Sequence, residues 1–139
     1  MIKDCVFCKI ARGEIPCDKV YEDEHVLAFL DIAPLALGHT LVIPKEHHTS
    51  VTTVPAADSA RLMEVASRLG AALMRATDAG GFNLMLANGA VAGQVVPHVH
   101  LHVVPRHVDD GVVMPTSHVN YPSAEHKAEI LAKARARLQ

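Results

Sequence analysis

Three histidines alternate with aliphatic residues in the segment His98-Val99-His100-Leu101-His102-Val103-Val104. The side chains of a β-strand point alternately to its two faces, so this pattern predicts a strand over residues 99–104 with the three imidazoles on one face. The other face is entirely aliphatic and can seal a hydrophobic core. We therefore expect a sheet that presents three histidines together at a cleft or surface.

A loop of small residues, Asn88-Gly89-Ala90-Val91-Ala92-Gly93-Gln94, precedes this strand. Such a loop can turn several backbone N–H groups towards an anion. A neutral imidazole can attack phosphorus near neutral pH, provided that its second nitrogen keeps its proton. The loop and the histidines together predict a site where an anion can bind beside a nucleophilic imidazole.

Hydrophobic periodicity and turn residues predict the remaining elements. Apolar residues at spacings of three and four indicate one long helix over residues 56–78, which Gly80-Gly81 would end. A weaker stripe of Met63, Gly70 and Met74 on that helix indicates either extra core contact or a surface for a partner. Short helices are expected over residues 4–12, before Gly13, and from a Ser123 cap to Leu138. Strands are expected at 26–30, 40–44, 82–86 and 99–104, paired in that order as two antiparallel hairpins. This segregation of strands and helices predicts an α+β domain with an antiparallel sheet.

Composition excludes several function classes. The 139 residues are enough for one domain, 1–139, with a single sizeable core. The formal net charge of −2 provides no basic surface for nucleic acid, and the absence of tryptophan argues against a stacking platform for single strands. No apolar run approaches the roughly 20 residues of a membrane span. There is no apolar stretch behind Lys3 and Asp4 to act as a secretion signal, so we expect a cytoplasmic protein, in which Cys5-x-x-Cys8 indicates metal or redox chemistry.

The pattern Asn88, Gly93-Gln94 and His98-x-His100-x-His102 resembles the histidine-triad (HIT) superfamily of nucleotide hydrolases and transferases. Segments 4–10, 13–16, 20–23, 29–34 and 38–45 also resemble that family, in the same order. The resemblance implies a HIT-like fold with a five-stranded antiparallel sheet, one long helix and short terminal helices. It further implies a homodimer whose two sheets form one continuous sheet.

The resemblance also implies a reaction and the residues that perform it. His100 would attack the α-phosphorus of a purine nucleoside phosphoramidate, an adenylate or a dinucleoside polyphosphate, and water would release the monophosphate. His102 and Gln94 would assist catalysis through contacts to the phosphate or its leaving group, and Asp31 would bind the ribose hydroxyls. The full nucleotide-binding set would be Ile10, Phe29, Asp31, Ile32, Asn88, Gly93, Gln94, Val95, Val96, His100 and His102. One departure from the family pattern is Val95, which stands where Ser or Thr is usual and leaves the preferred leaving group open.

A structural zinc ion is a further implication of the resemblance. Its four ligands would be Cys5, Cys8, His47 and His98, which would tie the amino-terminal segment to the sheet. Two alternatives to this zinc site remain open from sequence, namely two reduced core cysteines and a metalloenzyme with its zinc on the triad itself. An alternative function is a nucleotide-binding regulatory or scaffold protein with little turnover.

Overall fold

The computed structural model describes residues 4–115 and 117–138. These residues contain three α-helices: α1 (Val6–Ala11), α2 (Ala56–Thr77) and α3 (Ala124–Arg137). The same residues form five strands: β1 (Lys19–Glu22), β2 (Val26–Leu30), β3 (Thr40–Pro44), β4 (Gly81–Met85) and β5 (Leu101–Arg106). They form one sheet in the order β1-β2-β3-β5-β4, and every neighbouring pair is antiparallel. The predicted α+β class is confirmed.

The sheet divides the hydrophobic core into two clusters because its side chains alternate between the two faces. One cluster joins Val99, Leu101 and Val103 to the apolar side of α2, including Val65 and Leu69. The second cluster lies on the opposite face and joins α1 to the sheet; its members are Cys5, Phe7, Cys8, Leu27, Phe29, Leu41 and Ile43. The triad histidines point to this second face, where the Phe7 ring of α1 packs against His98 and His100.

The strand that carries the histidines differs from the prediction. β5 begins only at Leu101, so His102 lies in the strand, whereas His98 and His100 lie in the irregular segment before it. The alternation nevertheless continues through that segment, because Val99 is fully buried in the first cluster and His98 is fully buried on the other side. Predicting the strand from alternation alone was therefore wrong about its start but right about its two faces.

The periodicity analysis missed β1, a short edge strand in which most side chains are exposed and no apolar alternation is visible. It located the end of α2 to within one residue, but Gly80-Gly81 do not end the helix. The helix ends at Thr77, because Asp78 adopts the left-handed conformation and the Ala79 amide bonds to the Met74 carbonyl. An aspartate tolerates that conformation better than most residues.

The second stripe of α2 separates into two roles. Gly70 is buried against the ring of Phe82, and a Cβ at this position would overlap that ring. Met63 is exposed instead. Gly70 thus permits a close approach of α2 to β4. Of the two interpretations of the stripe, extra core contact is therefore the correct one for Gly70.

Helix α3 stands apart from both clusters. Ser123 caps it as predicted, with its hydroxyl accepting from the His126 amide at 3.0 Å. Every described residue from 117 to 138 is exposed, including Ile130 and Leu131. Lys127, Lys133 and Arg135 were expected on a solvent-facing side, but within one chain α3 has no buried side at all. Among the described helices, none is both long and apolar enough to cross a membrane.

Candidate functional site

The backbone fixes which nitrogen of His100 carries a proton. His100 Nδ1 lies 2.6 Å from the carbonyl oxygen of His98. A carbonyl can only accept, so Nδ1 donates and Nε2 keeps its lone pair. The ring is buried and meets the edge of Phe7 with centroids 5.1 Å apart. This arrangement supplies an oriented imidazole nucleophile that needs no prior loss of a proton.

A second chain of hydrogen bonds fixes the proton on His102. The Leu35 amide donates to His39 Nδ1 at 3.0 Å, so the other nitrogen of neutral His39 carries its proton. That Nε2–H lies 2.8 Å from His102 Nδ1, which therefore accepts. His102 is consequently protonated on Nε2 and can donate there to an oxygen.

Burial keeps both members of this pair neutral. It lowers the pKa of His102 to about 4, and the neighbouring His100 and His39 add to the effect. Burial also lowers the pKa of His39, although the nearby Asp31 carboxylate opposes this shift. His102 is thus a neutral hydrogen-bond donor at physiological pH, beside the His100 ring at a centroid distance of 4.9 Å.

A cavity of about 390 Å³ opens between α1 and the β2–β3 connection. It brings together four residues that the sequence assigned to a nucleoside: Ile10, Phe29, Asp31 and Ile32. Ile32 is 98% exposed, so it can cover only one side of an occupant. The Asp31 carboxylate is not free, because its Oδ1 accepts from the Ala33 amide at 2.9 Å. This turn holds the carboxylate in place and leaves Oδ2 3.6 Å from His39 Nε2.

The glycine-containing loop is more tightly engaged than its sequence indicates. Gln94 is buried; its Oε1 accepts from the Gly89 amide and its Nε2 donates to the Thr49 carbonyl, both at 2.7 Å. The backbone amides of Gly93 and Gln94 bond within the loop, to Ala90 and Gly89. Among the backbone amides of residues 93–96, only those of Val95 and Val96 have no acceptor in the described residues.

The Asn88 side chain also bonds to a neighbouring segment of the protein. Its Oδ1 accepts from the Val51 amide at 2.8 Å and from the Ser50 hydroxyl at 3.3 Å. The amide nitrogen of Asn88 makes no hydrogen bond to the described residues. Asn88 and Gln94 both brace the loop against residues 49–51, and each retains at least one side-chain N–H for a ligand.

Cys5, Cys8, His47 and His98 converge as the sequence predicted, with one potential ligand atom of each within 4.8 Å of the others. His98 Nε2 donates to the Pro44 carbonyl at 2.8 Å, which leaves Nδ1 as the ligand atom. That Nδ1 lies 3.5 Å from Cys5 Sγ and 3.6 Å from Cys8 Sγ. A tetrahedral zinc ion bound by thiolate and imidazole has sulfur–nitrogen edges of about 3.5 Å, so these four residues fit that metal.

Asp31, His39 and His102 form another cluster of possible ligands. It does not suit a metal, because the Leu35 amide already occupies His39 Nδ1 and forces the proton onto the nitrogen that a metal would need. The geometry therefore favours zinc at the cysteine pair over zinc on the triad itself.

Sequence reasoning missed four residues that line the cavity, Val6, Ile15, Cys17 and Leu41. It also missed Phe7, whose ring packs against His100. Phe7 lies between the two cysteines, so the Cys-x-x-Cys spacing drew attention away from it. Cys17 lines the cavity, and burial raises the pKa of its thiol, which makes the thiol less reactive.

Comparison with known proteins identifies related sequences. A family model described as "HIT domain" matches residues 12–109. An uncharacterized HIT-like protein of Borreliella burgdorferi is 51% identical over 110 residues, which is 78% of this chain and 79% of that protein. An adenylylsulfatase of Arabidopsis thaliana is 47% identical over 74% of this chain and 52% of its own length. An adenosine 5'-monophosphoramidase of Schizosaccharomyces pombe is 40% identical over 73% of this chain and 74% of its own length.

Solved structures of HIT-family proteins are also similar to this chain in fold. A HIT-family protein from Bacillus subtilis superposes with a TM-score of 0.90 at 36% identity and covers 99% of both chains. A zinc-bound histidine triad family protein from Mycobacterium smegmatis superposes with a TM-score of 0.75 at 40% identity, over 97% of this chain and 95% of that one.

Proposed function

The chain belongs to the HIT family, and on that premise we propose that it hydrolyses nucleotidyl compounds at their α-phosphate. The observation that carries this proposal is the pair of fixed tautomers, with a lone pair on His100 Nε2 and a proton on His102 Nε2. One ring can attack phosphorus while its neighbour donates to a phosphate oxygen. Relatives named as an adenylylsulfatase and as adenosine 5'-monophosphoramidases act on such compounds.

The reaction has two steps. His100 Nε2 attacks the α-phosphorus, a nitrogen–phosphorus bond forms, and the leaving group departs with its bonding electron pair and takes up a proton. Water then attacks the nucleotidyl-histidine, the nitrogen–phosphorus bond breaks, and the electron pair returns to His100. The balance is one water consumed, with a nucleoside monophosphate and the protonated leaving group as products.

The cavity supplies the nucleoside site in this proposal. The aliphatic and aromatic side chains of Ile10, Phe29 and Ile32 would contact the base, and the fixed Asp31 carboxylate would accept from the ribose hydroxyls. Such contacts select a purine by shape, so adenine and guanine nucleotides both fit. The free amides of Val95 and Val96 and the spare side-chain N–H groups of Asn88 and Gln94 would bind the phosphate or its leaving group.

We further propose one structural zinc ion on Cys5, Cys8, His47 and His98. Bound zinc would cross-link α1 to the segment that precedes β5. Because His98 would be a ligand, the ion also fixes the carbonyl that orients His100. This ion holds the catalytic segment in place and contacts no phosphate.

We also propose that residues 1–139 act as one domain in a homodimer. Support comes from α3, which exposes Ile130 and Leu131 with no covering surface among residues 4–115 and 117–138. Edge strand β4 is half-buried along its length, and no strand of the described residues lies on its outer side. Sedimentation analysis should give twice the chain mass, and a variant carrying Ile130→Glu and Leu131→Glu should shift that mass towards the single chain.

A substrate panel with a trapping control tests the proposed reaction. Wild-type protein is compared with His100→Asn on adenosine phosphoramidate, an acyl-adenylate and a diadenosine polyphosphate. We expect turnover to fall by at least a thousandfold in the variant while adenosine monophosphate still binds. Rapid quenching of the wild type should give a nucleotidyl adduct that mass spectrometry locates on His100.

Two results would contradict this function. Retention of more than about a tenth of the activity in His100→Asn would mean that another residue is the nucleophile. Tight monophosphate binding without turnover of any substrate by the wild type would identify a regulatory or scaffold protein instead.

A further inference from the structure

A second cavity of about 410 Å³ lies between edge strand β1 and helix α2. This volume is within the range that small-molecule sites occupy. Its apolar lining includes Val20, Val65, Leu69 and Ala72. Val65 and Leu69 belong to the cluster on the sheet face away from the histidines. We call this cavity the β1–α2 groove; the sheet separates it from the proposed nucleotide site.

Two arginines of α2, Arg68 and Arg75, line the β1–α2 groove. They are seven residues apart, which is nearly two helical turns, so they share one side of α2 about 10 Å apart along its axis. Neither forms an ion pair with an acidic side chain in residues 4–115 and 117–138. Arg68 and Arg75 therefore give the groove a local excess of positive charge, although the chain as a whole is slightly acidic.

A third arginine on the same helix provides the contrast. Arg61 Nε donates to Asp23 Oδ2 at 2.7 Å, its NH1 pairs with Glu64 at 2.8 Å, and its NH2 donates to the Tyr21 hydroxyl at 2.5 Å. Arg61 is therefore neutralised and holds α2 against β1. Its donors are used within the protein, whereas those of Arg68 and Arg75 are available to a ligand.

Tyr21 orients one of the available guanidinium groups. The Arg68 guanidinium lies over the Tyr21 ring, 5.7 Å from its centroid. This cation–π contact does not use the N–H donors of Arg68, which have no acceptor among the described residues and can bind a carboxylate. Such donors bind a carboxylate through two parallel hydrogen bonds. The Arg68 side chain is thereby held against the wall of the groove before any ligand arrives.

We propose that the β1–α2 groove binds a small organic dianion, with an apolar body on the groove floor and one acidic group on each of Arg68 and Arg75. The positive charges of the two arginines require acidic groups on the ligand. The aliphatic residues of the groove require an apolar part between those acidic groups. A peptide strand added to the sheet edge fits less well, because β1 has only four residues and its register with β2 is irregular between Lys19 and Tyr21.

Rigid naphthalene carboxylates test this proposal directly. Naphthalene-2,6-dicarboxylate carries two acidic groups at opposite ends of an apolar ring system, and 2-naphthoate carries one. Both are titrated into the full chain, with backbone amide shifts in two-dimensional NMR as the readout. We expect shifts at Val20, Leu69 and Ala72 but not at Ile10 or Asp31, and dicarboxylate affinity about tenfold above that of the monocarboxylate.

Arginine variants identify the contacts. Arg68→Ala and Arg75→Ala should each reduce dicarboxylate affinity about tenfold and bring it to the level of the monocarboxylate. Arg135→Ala on α3 is the matched control and should leave the affinity unchanged. None of the three variants should alter nucleotide hydrolysis, so the result does not depend on the proposed function.

Three outcomes would overturn the proposal. Equal affinity for the dicarboxylate and the monocarboxylate would mean that the second acidic group contacts no arginine. Shifts confined to the α1 side of the sheet would place the probe in the other cavity. Tighter binding of an alternating Glu-Leu peptide than of the dicarboxylate, lost in both arginine variants, would assign the groove to a protein partner.

Discussion

His39 Nε2 lies 2.8 Å from His102 Nδ1, and the Leu35 amide holds the opposite nitrogen of His39. Leu35 and His39, both in the β2–β3 connection, thus determine which nitrogen of the distant His102 carries a proton. Because the direction of every hydrogen bond follows from one backbone N–H, the arrangement has a single consistent set of protons.

Replacing His39 should therefore affect catalysis through His102. We expect His39→Leu to lower kcat/KM for adenosine phosphoramidate about two- to tenfold, the value of one hydrogen bond between neutral groups. His39→Gln is the matched control, because its amide nitrogen can still donate to His102 and should restore part of the rate. The ¹⁵N shifts of His102 should report a proton on Nε2 in the wild type and mixed tautomers in His39→Leu. A proton on Nδ1 of His102 in the wild type would contradict this chain of hydrogen bonds.

Stability should fall in mild acid because of His102. Its pKa is about 4 in the folded protein against an ordinary value of 6.5, so between these values the unfolded chain takes up a proton that the folded protein does not. Stability is therefore complete above about pH 6.5 and declines as the pH falls towards 4. Between pH 7 and pH 5 this residue should cost about 2 kcal/mol.

Urea denaturation of wild type and His102→Asn at both pH values measures that cost. All other titrating groups are common to the two proteins, so the smaller loss expected in the variant isolates His102. Identical pH dependence in both proteins would mean that His102 is not shielded from water.

Zinc content and thermal stability should depend on Cys8 but not on Cys17. Metal analysis should give about one zinc per chain, and Cys8→Ala should lower Tm by roughly 10 °C because a ligand of a structural ion is lost. Cys17→Ala is the control, since Cys17 lies outside the cluster. Intrinsic kcat should change less than tenfold, because the ion contacts no substrate. A metal-free protein with full stability in chelator would exclude the zinc site.

Val95 provides a test of the leaving group. Its side chain is 90% exposed, so Val95→Ser adds a hydroxyl without disturbing the core. If that hydroxyl assists an amine, kcat/KM for adenosine phosphoramidate should rise about tenfold, and by more than for a diadenosine polyphosphate. Val91→Ser in the same exposed loop is the matched control. Equal changes for both substrates would leave the hydroxyl without a leaving-group role.

The sequence by itself determined the elements whose signal is local. The alternation of histidines with Val99, Leu101 and Val103 assigned the two faces, and the spacing of apolar residues located α2 almost to the residue. The same holds for the Ser123 cap. Each of these depends only on the repeat of a strand or helix, which neighbouring residues reveal without knowledge of the fold.

The tertiary structure alone decided what depends on contacts between distant segments. Gln94 has the residue type of a phosphate ligand, yet Thr49 and Gly89 engage both ends of its amide. The proton on His102 is determined by Leu35 through His39. Arg61 pairs with Asp23, whereas Arg68 pairs with no acidic side chain in the described part of the chain. A hydrogen bond or ion pair needs two groups within about 3 Å. Sequence spacing sets no such distance across a fold, so these roles became visible only when the chain was packed.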